Sequence, residues 1–328
     1  MKLNWKKILK NTLISVLIPL VIFVAFAILT NGRTASLRMV RTTLKQCIMP
    51  TIICWGMMLS MSVGMINFSA GAMMLCASII AGGIVKSFGL GSTWLLVLCV
   101  LVTIFTGAVN GLLYNKLRVP SMILTIGMLL VWEAFPRLFF PNGVVLSTDI
   151  TIFSRTPTCY IILGVCFVFF HVLYNNTTFG HNLNAIGNNL AVSNSVGLNI
   201  DKIKFLSFLL GAVFLGLAAA LYASDNTELR NVSAMSSMTI MMDGFMGMFM
   251  AMFLAKYSNM SIAVVIGTFS MKFLSNGFVA MGLPSTAKDV VQGLMLLVLL
   301  TISANAGLFE RRKANKAYAA EARSELAY

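Results

Sequence analysis

Long apolar runs separated by short polar segments are the dominant pattern of the chain. About 20 consecutive apolar residues are enough to cross the hydrocarbon core of a bilayer as a helix. The pattern predicts an all-α polytopic membrane protein with a short segment at 1–10, a single transmembrane domain at 11–307 and a tail at 308–328. We expect about ten spans, at roughly 11–30, 48–66, 69–86, 92–115, 120–137, 157–174, 203–224, 238–255, 260–280 and 289–307.

Composition agrees with this pattern. The 328 residues are 58% apolar and 10% charged, whereas soluble domains have about 25% charged residues. A membrane β-barrel would show short alternating segments instead. The net charge of +14 is attributed to loop cations that contact lipid and orient the spans, so we expect no nucleic-acid partner.

Loop cations also predict which way the chain crosses the membrane. Ten spans place both termini on one side, and that side carries fourteen Lys and Arg against nine on the other. Cytoplasmic loops are enriched in these residues. The sequence therefore predicts that both termini are cytoplasmic.

A polar island, residues 175–204, interrupts the apolar pattern and contains eight asparagines. A polar segment of this length stays at the interface or in water, because unsatisfied polar groups are costly in hydrocarbon. Leu183, Ile186 and Leu190 recur at helical spacing, which indicates a short helix along the inner surface. The charge bias puts the island in the cytoplasm, where we expect it to bind a soluble partner.

Two further polar features interrupt the spans. Arg33, Arg38, Arg41 and Lys45 form a cationic cluster on the other side. It is either a headgroup segment with Leu37, Val40 and Leu44 on its apolar face or a docking surface for an acidic extracytoplasmic protein.

The second feature is the gap between the second and third spans, which is too short for an ordinary loop. It is either a tight turn or a break in a helix near residue 67. Asn67 and Ser69 lie in this gap and are candidates for a substrate path.

Few ionisable residues fall inside the spans. Lys272 lies near the middle of the ninth span, with Ser275 and Asn276 one turn later, and a lysine at this depth faces a cavity or another helix, or snorkels outward. Lys272 is therefore either a functional residue of the substrate path or a structural residue. Asp243 is the one good candidate for an ion-coupling carboxylate, and Glu133 is interpreted as an interfacial residue.

Catalytic and cofactor motifs are absent from the sequence. There is no phosphate-binding G-x-x-x-x-G-K-[ST], no H-E-x-x-H and no G-x-S-x-G. His171 and His181 lack partners at metal-ligand spacing, and the six cysteines form no C-x-x-C pair. We therefore predict neither enzyme activity, nor a metal, nor a cofactor, and we expect a partner to supply energy.

Several motifs together resemble one family. The island segments GHNLNAIGNNLA (180–191) and VGLNIDKIK (196–204) resemble the cytoplasmic coupling loop of ribose-type ABC importer permeases. Weaker similarities follow in the same order as in that family: INFSAG (66–71), GLLYNKLRVPSMILT (111–125) and FLSNG (273–277). The resemblance extends over about residues 48–307.

The resemblance implies a permease domain in a bacterial inner membrane. It implies ABC ATPase subunits inside, a second permease copy or paralogue beside the chain, and an extracytoplasmic substrate-binding protein. It also implies a coupling helix near 187–197, with contact to the ATPase through Gly187, Asn188, Asn189, Leu190, Ala191 and Gly197. The expected substrate is a small polar solute, first a monosaccharide and next a nucleoside.

The chain departs from the family pattern at three places. The family usually has an acidic residue at Asn67 and a glycine at Lys272, and it has a glycine-rich stretch where 250–259 contains no glycine. The missing glycines favour one rival, a non-transporting scaffold derived from a permease. Asp243 leaves a second rival open, an ion-coupled carrier that works alone.

Overall fold

A computed structural model describes residues 17–301, except 18, 31, 256, 283, 285–289, 292, 295–296 and 299–300. Within them the bounded helices are α1 (Pro19–Leu29), α2 (Leu37–Met61), α3 (Ala70–Phe88), α4 (Ser92–Leu117), α5 (Ser121–Ala134), α6 (Thr158–Asn175), α7 (Thr178–Asn188), α8 (Leu190–Ser195), α9 (Ile200–Asp225), α10 (Met238–Leu254) and α11 (Met260–Ala280). Short 3₁₀ helices occupy Phe135–Leu138 and Thr148–Ser154, and β1 (Val144–Val145) pairs antiparallel with β2 (Glu228–Leu229).

The predicted all-α polytopic membrane architecture is confirmed. Seven helices of the described part are long and apolar enough to cross a membrane: α2, α3, α4, α5 with its 3₁₀ extension, α6, α9 and α11. The helices α1 and α10 are apolar but shorter. The predicted segments 1–10 and 308–328 lie outside the described residues, as does most of the tenth span, so ten spans and the side of the termini stay predictions.

The start of the second span was predicted too late. The hydropathy pattern places its start at about residue 48, but α2 begins at Leu37. Ser36 caps this end, because its hydroxyl accepts from the amide of Met39 at 3.3 Å, and an N-cap of this kind stabilises a helix start. Arg38, Arg41 and Lys45 therefore lie on the helix itself. A search for apolar runs misses this first section because it is polar.

Close helix contacts build the core. The helices α4 and α9 approach where Gly107 meets Ala212, whose Cβ would be 2.6 Å from a Cβ built on the glycine. Another close contact joins α2 and α9, where Gly56 lies against the main-chain oxygen of Gly211. Small residues allow backbones to approach in this way, as the four-residue spacing of small residues in these helices indicates.

The two ends of the bundle differ. The island face is the end at which α7 and α8 lie, together with the ends of α2, α4 and α6 and the start of α9; Gly187, for example, contacts Ser62. The far face carries the start of α2, the end of α9 and the β1–β2 pair, where Leu146 donates its amide to the carbonyl of Thr227 at 2.7 Å.

Candidate functional site

A cavity of about 550 Å³ opens towards the far face between α2, α9, α10 and α11. Its wall mixes apolar residues with charged and amide side chains. The charged, amide and hydroxyl side chains of the wall include Lys45, Gln46, Asp225, Asp243, Lys272, Ser275 and Asn276.

An ion pair forms the deep wall of the cavity. Lys272 Nζ of α11 donates to Asp243 Oδ2 of α10 at 2.5 Å, and the two side chains are only 19% and 30% exposed. A lysine in a membrane span needs such a partner. The pair therefore explains how Lys272 is accommodated in the span, and it directs both charges at the cavity.

A second charged pair lies on the opposite wall. Lys45 Nζ of α2 is 3.7 Å from Asp225 Oδ1 of α9, and the hydroxyl of Ser154 donates to the same carboxylate oxygen at 2.9 Å. Two cations and two carboxylates thus face the cavity and balance one another. The site offers hydrogen-bond donors and acceptors without a net charge from these groups.

Asn276 connects α11 to the start of α2. Its amide nitrogen donates to Thr43 Oγ1 at 2.9 Å and to Gln46 Oε1 at 2.8 Å. Ser275 lines the same cavity. The structure therefore brings together three residues predicted for a substrate path, Lys272, Ser275 and Asn276.

Asn67 and Ser69 lie elsewhere, in a buried network beneath the island face. Asn67 Oδ1 accepts from the hydroxyl of Ser69 at 2.7 Å. Asn110 donates to that hydroxyl at 2.7 Å and accepts from Trp132 Nε1 at 3.0 Å. Both predicted residues are at most 7% exposed and are absent from the cavity wall, so this network joins α3, α4 and α5 rather than lining that space.

The connection between α2 and α3 is irregular from Ser62 to Ser69. Two of its amides reach α5: Ile66 donates to Ser121 Oγ at 3.4 Å, and Phe68 donates to Thr125 Oγ1 at 3.1 Å. Side chains of a neighbouring helix thus satisfy backbone groups that a helix would have paired internally.

The polar island folds into two short helices rather than the single helix predicted near 187–197. Asn189 ends α7, and its Oδ1 caps α8 by accepting from the amide of Val192 at 3.1 Å. Thr177 caps α7 and Asn199 caps α9 in the same way. These caps account for part of the unusual Asn content, because Asn and Thr favour helix starts.

The break at Asn189 separates the apolar residues of the island into two groups. Leu183 and Ile186 of α7 are buried against the bundle. Leu190, Val192 and Val196 are 50%, 56% and 75% exposed. Of the other residues predicted for coupling, Gly187 and Asn188 belong to α7, Ala191 belongs to α8, and Gly197 follows α8.

A contact joins the island to the connection that follows α2. Gly187 lies against the main-chain oxygen of Ser62. Tyr174 donates its hydroxyl proton to Asn184 Oδ1 at 2.6 Å and lies 3.3 Å from the Ser62 hydroxyl. The island is thereby fixed to the irregular segment that carries Asn67 and Ser69.

The cationic cluster predicted for docking lies on the far face. Arg33, Arg38 and Arg41 are exposed, and none of them forms an ion pair with another residue of the described chain. Lys45 differs, since it pairs with Asp225 in the cavity wall. Lys45 therefore belongs both to the cationic cluster and to the cavity wall.

Sequence reasoning missed two relationships. Asp243 and Lys272 lie at similar distances along the chain from the turn between α10 and α11, so an antiparallel hairpin brings them to one depth. These equal distances could have been read from the sequence.

Glu133 is the second case. It was interpreted as interfacial, but it is 4% exposed and accepts from the amides of Met235 and Ser237 at 3.1 and 2.9 Å.

Known proteins resemble this chain over most of its length. The profile of the family described as "Branched-chain amino acid transport system / permease component" matches residues 39–300. The autoinducer 2 import system permease protein LsrC of Yersinia pseudotuberculosis (serotype O:1b) is 26% identical over 255 residues, 72% of this chain and 68% of the relative. LsrC of Yersinia pestis (Pestoides F) is 26% identical over 259 residues, with the same coverage. No solved structure matches the chain.

These matches confirm the resemblance to sugar-type ABC importer permeases that the island motifs indicated. The family consists of transport subunits in the inner membrane, not of enzymes. The matched residues include α2 from its third residue, every later span to α11 and the whole polar island. The chain therefore belongs to the permease-component family of branched-chain amino acid and related transport systems.

Proposed function

We propose that this chain is the permease subunit of an ABC importer for a small, neutral, polar solute, with a monosaccharide as the first candidate. The observation that carries the proposal is the cavity at the far face, where Lys272, Asp243 and Asn276 offer donors and acceptors inside the membrane domain. The relatives named for autoinducer 2 import support a small polar cargo.

The charge balance of the cavity supports a neutral cargo. Lys45 and Lys272 are each opposed by a carboxylate, so an anionic solute gains no unpaired cation there. Hydroxyl groups can donate to the carboxylates and accept from the ammonium and amide groups. A nucleoside, which also carries hydroxyls, is the second candidate, and its base would have to contact the apolar part of the wall, such as Ile48 and Tyr222.

The helix α8 is the proposed contact with an ABC ATPase. Leu190, Val192 and Val196 are exposed, which is the arrangement by which an amphipathic helix fits an apolar groove. Movement of α8 would reach the bundle through Gly187 and Ser62, since α7 contacts the end of α2 there. The substrate-path role predicted for Asn67 and Ser69 becomes, in this proposal, a role in transmitting that movement.

The far face is the proposed docking surface for an extracytoplasmic binding protein. Arg33, Arg38 and Arg41 are exposed and unpaired within the described chain, so they can attract an acidic surface. Lys45 lies between this cluster and the cavity, which would let solute pass directly from the binding protein to the permease. A second permease would cover exposed apolar helices such as α6, of which only 22% of the span is buried.

The first test is purification of the tagged chain in mild detergent with mass spectrometry of the proteins that accompany it. We expect a nucleotide-binding ATPase, and a second permease if the pore is heterodimeric. The recovered complex is then reconstituted in vesicles with its binding protein, and substrate-driven ATP hydrolysis is measured for Asn188→Ala/Leu190→Ala and for Val192→Ala. Val131→Ala, an exposed valine of α5, is the matched control.

Loss of stimulated hydrolysis in the α8 variants, with normal assembly and hydrolysis in the Val131→Ala control, supports the proposal. Unchanged hydrolysis in the α8 variants would overturn the coupling role. Solute uptake by vesicles that contain only this chain would favour the ion-coupled carrier instead. Partner recovery without any solute flux would favour the scaffold.

A further inference from the structure

A second pocket, unrelated to the cavity at the far face, lies at the island face between the end of α4 and the start of α9. It has a volume of about 300 Å³ and is lined by Tyr114, Asn115, Arg118, Asp201 and Lys204. We propose that this pocket binds the phosphate-containing headgroup of an anionic phospholipid, with phosphatidylglycerol as the matching chemistry. The proposal does not depend on the proposed function.

The two cations of the pocket are available to an anion. Neither Arg118 nor Lys204 forms an ion pair with a described residue. Lys204 Nζ instead lies 5.3 Å from the centre of the Tyr114 ring, a cation–π contact that holds the ammonium at the pocket. Arginine and lysine together are the usual donors to phosphate oxygens.

The surroundings increase the positive charge. Lys116 and Lys202 are exposed neighbours of the lining residues, and Asp201 is the one carboxylate among the lining residues. Four cations against one carboxylate favour an anionic headgroup over a zwitterionic one.

Hydrogen-bond acceptors in the same pocket favour a headgroup that also carries hydroxyls. Asn115 Oδ1 is buried and has no donor among the described residues, while its amide nitrogen donates to the main-chain oxygen of Asp201 at 2.8 Å. A buried acceptor without a donor is costly. The glycerol hydroxyls of phosphatidylglycerol can donate to Asn115 and to the Asp201 carboxylate, while its phosphate accepts from the two cations.

An apolar stripe leads from the membrane to this pocket. Exposed apolar residues recur along one side of α4, at Trp94, Val97, Leu101, Phe105 and Leu112. Leu112 is three residues before Asn115, so the two lie on one helix face. Acyl chains along the stripe and a headgroup in the pocket fit one lipid molecule, and a free anion would use only the pocket.

The test is native mass spectrometry of the purified full chain titrated with phosphatidylglycerol, phosphatidylethanolamine or phosphatidylcholine of identical acyl chains. We expect phosphatidylglycerol to bind more tightly than the other two. Each cation near an anionic group contributes about 5-fold to affinity, so Arg118→Ala/Lys204→Ala should bind about 25-fold more weakly. Arg118→Lys/Lys204→Arg keeps both charges and should weaken binding less than the double alanine variant does, although the two side chains differ in donor geometry.

Lys86→Ala/Arg155→Ala is the matched control, because it removes the same charge from exposed positions near the far face and should leave binding unchanged. Single Arg118→Gln and Lys204→Gln variants carry the test if the double variant does not fold. Equal affinity for the three lipids, or no effect of the pocket variants, would overturn the proposal. Displacement of the lipid by millimolar inorganic phosphate would show a site for free anions instead, and loss of ATPase recovery with unchanged lipid binding would show a protein contact.

Discussion

Gly187 of α7 lies directly against the main-chain oxygen of Ser62, at the point where α2 ends. No side chain fits between the two backbones. We predict that Gly187→Ala pushes α7 away from the bundle, lowers the thermal stability of the chain and reduces substrate-driven ATP hydrolysis several-fold. Gly127→Ala in α5 is the control, because a Cβ at Gly127 meets no atom within 4 Å. Equal behaviour of the two variants would contradict the contact.

The ion pair of the cavity predicts a non-additive response. Asp243→Asn and Lys272→Met each leave one charge unpaired in a membrane helix. Because the two side chains are 19% and 30% exposed, each variant should lose about 1–3 kcal/mol, less than the roughly 3–5 kcal/mol of a fully buried pair. The double variant Asp243→Asn/Lys272→Met should lose less than the sum of the two, because no lone charge remains. Thermal unfolding in detergent measures all three.

Exchange of the two charges separates charge pairing from substrate contact. Asp243→Lys/Lys272→Asp keeps an ion pair between α10 and α11, so its stability should lie nearer to the original than that of either single variant. Solute uptake should still fall, since donor and acceptor have changed places in the cavity. Uptake at the original level would remove these two side chains from the proposed substrate path.

Glu133 is predicted to stabilise the start of α10. Its carboxylate accepts from the amides of Met235 and Ser237 at 3.1 and 2.9 Å, and a negative charge at a helix start is favourable. Glu133→Ala leaves two amides without an acceptor and should cost about 1–3 kcal/mol of unfolding free energy. Glu133→Gln should cost less, because its amide oxygen still accepts, and Glu228→Gln on the exposed β2 is the control.

The buried network around Asn110 predicts a rescue by a second substitution. Asn110→Leu leaves the indole N–H of Trp132 without its acceptor, which lies at 3.0 Å in the original chain. We expect a loss of about 1–3 kcal/mol in unfolding free energy. Trp132→Phe removes the unpaired donor, so the double variant should recover part of this loss. A double variant as unstable as the sum of the singles would contradict the role of this hydrogen bond.

Most of the fold could be predicted from the sequence, because hydrocarbon constrains the spans so strongly. Apolar length located nearly every span that the structure describes. The start of α2 was missed since its first turns carry Arg38 and Arg41, and a hydropathy pattern does not distinguish a polar helix from a polar loop. The break at Asn189 was missed for a different reason: Leu190 continues the helical spacing of Leu183 and Ile186, although the Asn189 side chain between them caps a new helix.

The candidate site was only partly predictable. Lys272, Ser275 and Asn276 share one face of a helix, so helical periodicity grouped them correctly. Their partners come from other helices, and single-chain spacing does not say that Gln46 of α2 or Asp225 of α9 packs beside α11. Asn67 and Ser69 were grouped with them because they lie at a predicted break between two spans, whereas the fold directs both side chains into a network with Asn110.

The exposed apolar residues of α8 have a consequence for how the protein is handled in the cell. Leu190, Val192 and Val196 would stay in contact with water in a chain made without its partner, and exposed apolar groups of this kind are recognised by chaperones and proteases. We expect an orphan copy to be degraded faster than an assembled one. The abundance of the permease would then follow the supply of the protein that covers α8. Permease without its partner would not accumulate in the membrane.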